Sequence, residues 1–415
     1  MKSLKQLLGG NLQQYTMVLA LIVLLIVFDL ASGGKMLTAS NFQNLIAGNA
    51  YVLVLAIGMV MVIVVGHIDL SVGSVAAFVG MSVAMSISLW GIPWWLGMLV
   101  GLLAGALIGA WHGFWLSKVG IPGFITTLAG MMIFRGLVIW MSGSISKPVP
   151  REFQFFGAGY LPEWGPAFTQ MNNSTLLLGI LGIAWFIWSE LRKRSATIAR
   201  GVEAPMWVSV VRIALVVAVI GYVTWLFGSG RPGTSFPVPG VILLILVVIY
   251  HTITQRTTFG RHVYAVGGNK AAAALSGVNV PRTYFLVMLN MSFLAAVAGI
   301  LFVGRATSAG PSDGTMWELD AIAAVFIGGA AVSGGIGTVL GSMIGGLVMA
   351  VLNSGLMLLG VGADKTQVIK GLVLLAAVAF DVANKAQGKP SIIGAIQKRF
   401  GSGNKAAEER AIKTP

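Results

Sequence analysis

Charged side chains inside long apolar stretches are the feature of this chain that most suggests a functional site. Arg135 lies within the apolar stretch 124–140, and a guanidinium at that depth in a bilayer needs a partner or a water-filled cavity. We expect Glu318 or Asp320 to be that partner, or Arg135 to contact a transported substrate. Asp69 stands where two apolar stretches meet. Its carboxylate either caps the following helix or lines a polar cavity together with Ser71.

Neutral polar side chains occur inside later apolar stretches, at Asn290 and Asn353. Such groups suit a path for uncharged polyols, although hydrogen bonds between helices explain them equally well. The candidate translocation path therefore comprises six residues with hydrogen-bonding side chains: Asp69, Ser71, Arg135, Asn290, Asp320 and Asn353.

Other chemistries find no support in the sequence. The stretch 359–366, LGVGADKT, resembles a phosphate-binding loop, but that motif requires glycine where Leu359 and Asp364 stand. The four histidines lack metal-ligand spacing and the chain has no cysteine. We therefore expect no catalytic centre, no metal and no cofactor, and a protein that is not an enzyme.

The composition indicates which secondary structure carries these residues. Of 415 residues, 56% are hydrophobic and 10% charged, with a mean hydropathy of +0.87. Apolar runs of about 20 residues recur along the chain, as helices that cross a bilayer require. The sequence thus predicts an all-α polytopic membrane protein with 10 to 12 transmembrane helices. The predicted spans are 15–31, 50–66, 73–90, 94–116, 122–142, 174–190, 207–227, 238–254, 284–304, 319–333, 337–358 and 366–383.

The net charge of +14 is explained by basic cytoplasmic loops better than by nucleic-acid binding. Placing both termini in the cytoplasm puts most of the basic residues inside, including the cluster 192–194. We divide the chain into a membrane domain, 1–386, which contains an inserted helix pair at 174–227, and a basic cytoplasmic tail, 387–415. We interpret 15–31 as a retained transmembrane helix rather than a cleaved signal peptide.

Two short Gly/Ser-rich interruptions break the apolar pattern, GHIDLSVGS at 66–74 and SGGIGT at 333–338. Corresponding interruptions in two halves of a transporter point to a path built on internal repeats.

A polar, basic segment at 256–283 contains a short helix. Asn269 is a suitable N-cap, 270–276 would form about two turns, and Gly277 would end them. A helix this short is unstable alone in water. It must rest on a partner or on the membrane surface, and weak amphipathicity argues against the membrane.

Four stretches carry a family resemblance: GHIDLSVGSVAAFVG (66–80), TLAGMMIFRG (127–136), GRHVYAVGGNKAAAALSGVNVPRT (260–283) and ELDAIAAVFIGGAAVSGGIGTVLGS (318–342). Together they resemble the membrane permeases of ABC importers for monosaccharides, the ribose/xylose/galactose group. The inserted helix pair looks most like the D-xylose and multiple-sugar permeases.

The resemblance implies a bacterial inner-membrane permease, working as a homodimer in the lipid bilayer. Its partners would be a cytoplasmic ATP-binding subunit that hydrolyses ATP and a periplasmic sugar-binding protein. An alternative is a stand-alone transporter driven by an ion gradient. By similarity, the residues that couple to the ATPase are Gly267, Gly268, Asn269, Lys270, Ala272, Ala273, Ser276 and Gly277.

Overall fold

The computed structural model describes residues 12–166, 169, 171–201, 205–230 and 233–385. The predicted basic tail, 387–415, lies outside them. The helices are α1 (Leu12–Ala31), α2 (Ala39–Val64), α3 (Val72–Ser88), α4 (Trp94–Phe114, extended by a π turn Trp115–Val119), α5 (Gly123–Ser142), α6 (Arg151–Ala158), α7 (Asn173–Ala199), α8 (Met206–Gly228), α9 (Val238–Arg256), α10 (Thr258–Gly268), α11 (Lys270–Leu275), α12 (Val280–Ala306), α13 (Trp317–Ile327), α14 (Val339–Leu358) and α15 (Ala363–Lys385). Strands β1 (Lys147–Pro148) and β2 (Ser308–Ala309) form one short antiparallel pair.

The predicted all-α membrane architecture is confirmed. Within the described ranges, eight helices are long and apolar enough to cross a membrane: α2, α4, α5, α7, α8, α9, α12 and α14. Two shorter apolar helices accompany them, Thr16–Ala31 and Val72–Ser88. The chain is therefore a multi-pass membrane protein.

The predicted span 319–333 is wrong as a continuous helix. Only α13 forms there, with 11 residues, and its length of about 16 Å is half of the hydrocarbon core of about 30 Å. The chain around it is irregular because glycines such as Gly329, Gly334 and Gly335 adopt positive φ. The span predicted at 50–66 belongs to a longer helix, since α2 begins at Ala39.

The centre of the bundle is formed by α2 and α12, which are buried along most of their lengths. Gly105, Gly109 and Gly113, spaced four residues apart on α4, bring its backbone against α12. A Cβ on Gly105 would lie 2.5 Å from the Cβ of Ala296, and one on Gly109 would lie 2.6 Å from the Cα of Leu289. This glycine seam is the close approach that small residues permit between membrane helices.

The helix pair α7 and α8 occupies the range that the sequence assigns to an insertion, and it lies at the edge of the bundle. Few of its side chains are buried in the monomer. It is joined to the centre mainly through Phe227, whose ring contacts Phe42 and whose carbonyl accepts a hydrogen bond from Gln43.

Candidate translocation path and docking segment

Asp69 lies buried in the interruption between α2 and α3. Its Oδ1 accepts hydrogen bonds from the backbone N–H of Ser71 at 2.8 Å and from the Ser71 hydroxyl at 2.6 Å. Ser71 is the N-cap of α3, so the carboxylate stands at the positive end of that helix. The second oxygen, Oδ2, has no hydrogen-bond partner among the described residues. Asp69 is therefore not the N-cap of α3; one carboxylate oxygen is held by Ser71, and the other remains available.

This carboxylate belongs to a buried polar cluster, which we define as Asp69, Ser71, His112, Thr127 and Glu318. The Thr127 hydroxyl lies 3.3 Å from the Ile68 carbonyl and 3.2 Å from the Leu70 N–H, which ties α5 to the interruption. His112 interacts electrostatically with Asp69. Both ring nitrogens of His112 and Oε2 of Glu318 are buried without a hydrogen-bond partner in the described chain. Unpaired buried groups are costly, so this cluster suits water or substrate hydroxyls.

The start of α3 touches the loop that precedes α13. A Cβ on Gly73 would overlap the carbonyl oxygen of Gly314, and a Cβ on Gly314 would overlap that of Gly73. Gly314 also has a φ of +75°, which favours glycine. The two backbones therefore meet directly beside Glu318, whose Oε2 lies against Gly73.

Arg135 reaches the same region from α5. Its guanidinium donates a hydrogen bond to the Asp313 carbonyl and interacts electrostatically with Glu318. Arg135 also lines an open cleft of about 340 Å³, together with Ser312 and Thr315 of the loop. The hydrogen-bond partner of Arg135 is thus the Asp313 carbonyl, whereas Glu318 is an electrostatic neighbour that forms no ion pair with Arg135 among the described residues.

Asp320 does not pair with Arg135. Its carboxylate instead pairs with Lys370 of α15, with the Nζ at 2.7 Å from Oδ1 and 2.9 Å from Oδ2. Asp320 follows Glu318 by two residues, a rotation of about 200° around a helix, so the two carboxylates face different neighbours. Lys370, like Arg135, is a charged residue within an apolar stretch, but it is not among the residues predicted from the sequence.

The two asparagines lie apart from the polar cluster. Oδ1 of Asn290 accepts a hydrogen bond from the Tyr250 hydroxyl, which joins α12 to α9. This contact matches the structural alternative, a hydrogen bond between helices. Asn353 is half-buried on α14. Of the six path candidates, Asp69, Ser71 and Arg135 therefore come together. Asp320 interacts electrostatically with Glu318 but is paired with Lys370, and Asn290 and Asn353 lie apart.

The basic segment forms two helices, α10 and α11; we call residues 258–277 the docking segment. Asn269 caps α11, because its side chain accepts a 2.9 Å hydrogen bond from the Ala272 N–H. Gly277 has a φ of +83° two residues after the helix ends. Gly267 and Gly268 end α10 and so precede the short helix.

One face of α11 is exposed and the other is anchored. Leu275 is 92% exposed, although it is a large apolar residue. Lys270, Ala272 and Ser276 are also exposed. Ala273 is only 5% exposed and packs into the main core. The outward surface is thus small side chains beside one protruding leucine, and Ala273 holds the helix in place.

The docking segment is attached directly to both interruptions. The Tyr264 hydroxyl donates a 2.7 Å hydrogen bond to the Gly337 carbonyl. Burial raises the pKa of the Tyr264 phenol, so it remains a protonated donor at neutral pH. A Cβ on Gly267 would overlap the carbonyl oxygen of Val64, which also accepts a 2.8 Å hydrogen bond from the Gly335 N–H. The residues before Asp69 and the second interruption therefore meet at α10. No pattern in the sequence points to Tyr264.

The chain is similar to known transport proteins. A family model described as "Branched-chain amino acid transport system / permease component" matches residues 40–378. The xylose transport system permease protein of Escherichia coli K12 is 37% identical over 377 residues, covering 90% of this chain and 93% of the relative. The corresponding protein of Haemophilus influenzae is 36% identical, covering 90% and 97%.

Ribose permeases are more distant. The ribose import permease protein of Bacillus subtilis is 32% identical over 375 residues, covering 90% of this chain and 94% of the relative. No solved structure matches the chain. Because the family model covers most of the sequence, the chain belongs to the branched-chain amino acid transport system / permease component family.

Proposed function

We propose that this chain is the membrane permease subunit of an ATP-binding cassette importer that moves a monosaccharide, xylose or a related sugar, into the cytoplasm. The family description mentions amino acids, but the relatives that align over 90% of the chain are named for xylose and ribose. Identity is higher to the xylose permeases, at 36–37%, than to the ribose permeases, at 31–32%. These names support a transport component rather than an enzyme.

The observation that carries the proposal is the connection from the docking segment to the two interruptions. A protein that grips the exposed face of α11 would also move α10, and α10 contacts Val64 and Gly337. The occupant that fits this face is a separate ATP-binding subunit. Its differential contacts in two states would shift the permease between conformations. A transporter driven by an ion gradient does not need a docking site for a second subunit, and the names of the relatives, xylose and ribose permease proteins, also weigh against it.

The polar cluster and the cleft beside Arg135 are the proposed sugar path. A monosaccharide carries hydroxyl groups that both donate and accept hydrogen bonds. Asp69 Oδ2, the His112 ring and Glu318 Oε2 offer unpaired partners of both kinds. A neutral sugar would satisfy them in passage without bringing a charge into the membrane.

We further propose a homodimer in the bacterial inner membrane, with both termini and the docking segment in the cytoplasm. The basic residues of the α7–α8 connection and of α10 support this orientation, because cytoplasmic loops carry an excess of Lys and Arg. A periplasmic sugar-binding protein would then deliver substrate to the opposite face, beside Arg135.

Reconstitution tests the proposed function. The chain is placed in proteoliposomes with its ATP-binding subunit inside and the sugar-binding protein outside, and uptake of labelled xylose is measured. We expect uptake that requires ATP and both partners and that survives an uncoupler. Uptake that persists without the ATP-binding subunit and collapses with an uncoupler would overturn the proposal.

A further inference from the structure

A second cavity lies far from the polar cluster, between the ends of α7 and α8. It encloses about 470 Å³ and is open on one side. Its lining includes four basic side chains and one carboxylate: Lys193, Arg194, Arg200, Arg212 and Glu190. We call it the basic cleft.

The cleft is built rather than accidental. Lys193, Thr197 and Arg200 follow one face of α7 at spacings of four and three residues. Glu190 is buried and forms a 3.5 Å ion pair with Arg212 of α8. Glu190 also accepts a 3.4 Å hydrogen bond from the Ser209 hydroxyl of α8. These two contacts hold α8 against α7, so that α8 forms the other side of the cleft. Residues 190–212 carry five basic and two acidic side chains, so the mouth of the cleft attracts anions.

The position of the cleft indicates which kind of anion could reach it. Apolar side chains on both helices are exposed next to it, among them Leu191, Ile198, Met206 and Val210. In a membrane, these faces contact lipid chains because α7 and α8 lie at the edge of the bundle. The cleft also shares a side of the membrane with the docking segment, since His251 near the end of α9 interacts electrostatically with both Lys193 and Arg256.

We propose that the basic cleft binds the phosphate of an anionic phospholipid headgroup, with the acyl chains on the exposed faces of α7 and α8. Basic pockets between membrane helices on the cytoplasmic side have this chemistry. A bound lipid would bridge the two helices where α7 ends, at Ala199, and α8 begins, at Met206. The inference is independent of the transported sugar.

The test uses the purified full-length chain in detergent, titrated with phosphatidylglycerol and, in parallel, with phosphatidylcholine. Native mass spectrometry counts the bound lipids. We expect phosphatidylglycerol to bind about tenfold more tightly than phosphatidylcholine. Replacing Lys193 and Arg200 with Gln should weaken the binding of phosphatidylglycerol about fivefold for each cation removed. Arg200→Lys should retain binding, because the point charge survives.

Arg192→Gln is the matched control. It removes the same charge from the same helix, but Arg192 lies over the Trp188 ring, 5.1 Å from its centroid, and does not line the cleft. We expect it to change phosphatidylglycerol binding less than twofold. An equal loss in Arg192→Gln and Arg200→Gln would overturn the proposal, as would equal affinity for the two lipids. Inorganic phosphate that binds without lipid and displaces phosphatidylglycerol completely would assign the cleft to a free anion and also overturn it. Thermal unfolding in detergent, unchanged by these exposed substitutions, confirms that the variants are folded.

Discussion

The backbone N–H of Gly335 donates a 2.8 Å hydrogen bond to the carbonyl of Val64, the last residue of α2. The bond satisfies a carbonyl that the helix itself leaves unpaired. It also joins the second glycine-rich interruption to the end of α2, immediately before the first, although the two interruptions are separated by more than 250 residues in sequence. The end of α10 covers this bond, so the docking segment touches the point where the interruptions meet.

Gly267→Ala tests that contact. The added Cβ would overlap the Val64 carbonyl oxygen, and overpacking of this kind costs about 1–3 kcal/mol. We expect a lower thermal unfolding temperature for the detergent-solubilised permease. Gly268→Ala is the control, because a Cβ there meets no atom within 4 Å. Equal stability of the two variants would contradict the tight contact.

Tyr264→Phe removes the hydrogen bond to Gly337 and retains the ring. Loss of one such bond costs about 1 kcal/mol, and we expect fewer sugars transported per ATP hydrolysed in proteoliposomes. Tyr222→Phe, on the exposed face of α8, should leave that ratio unchanged. If Tyr264→Phe also leaves it unchanged, the bond does not transmit motion.

Leu275→Asp tests docking of the ATP-binding subunit. Burial of a leucine contributes about 1.5–3 kcal/mol, so we expect at least about tenfold weaker capture of the subunit in a pull-down. Ile145→Asp introduces the same charge at an exposed apolar site outside the docking segment and should not affect capture. Ala273→Trp is less informative, because Ala273 is buried and the bulky ring would displace α11 itself. Undiminished capture by Leu275→Asp would exclude the exposed leucine as an anchor.

Asp69→Asn distinguishes a structural role of Asp69 at the start of α3 from a role in the sugar path. The amide oxygen still accepts from Ser71, so we expect nearly unchanged thermal stability and a higher KM for sugar uptake. Asp69→Ala also removes the two hydrogen bonds from Ser71, each of which contributes about 1 kcal/mol. A variant Asp69→Asn with normal uptake kinetics would leave Asp69 with a structural role alone.

The ion pair between Asp320 and Lys370 is expected to be structural. Removal of one partner of a fully buried pair destabilises by about 3–5 kcal/mol; this pair is partly buried, so we expect a loss below that range for Lys370→Met, measured by thermal unfolding. The double replacement Asp320→Leu with Lys370→Met should recover most of the stability and transport sugar. If the recovered double variant fails to transport, Asp320 belongs to the path after all.

Local signals in the sequence were sufficient for the short helix of the docking segment. Asn269 and Gly277 act through their own side chain or backbone, so a cap and a helix end could be predicted from residue type. The partner of Asp320 could not, because it depends on how α13 is rotated against α15. The inward direction of Ala273 likewise follows from packing, since the neighbouring alanines are chemically identical. The length of α13 was missed because an apolar run does not reveal where the backbone leaves the helix.

The glycine seam between α4 and α12 has a consequence for movement. Backbone lies on backbone there, so few side chains are present that could change rotamer and let one helix slide along the other. These two helices therefore form a fixed frame through a transport cycle. We expect displacement instead at the interruption after α2 and at the hairpin of α13 and α14, which the docking segment contacts through Val64 and Gly337. Spin labels on α4 and α12 would keep a constant separation while labels on α4 and the hairpin change theirs.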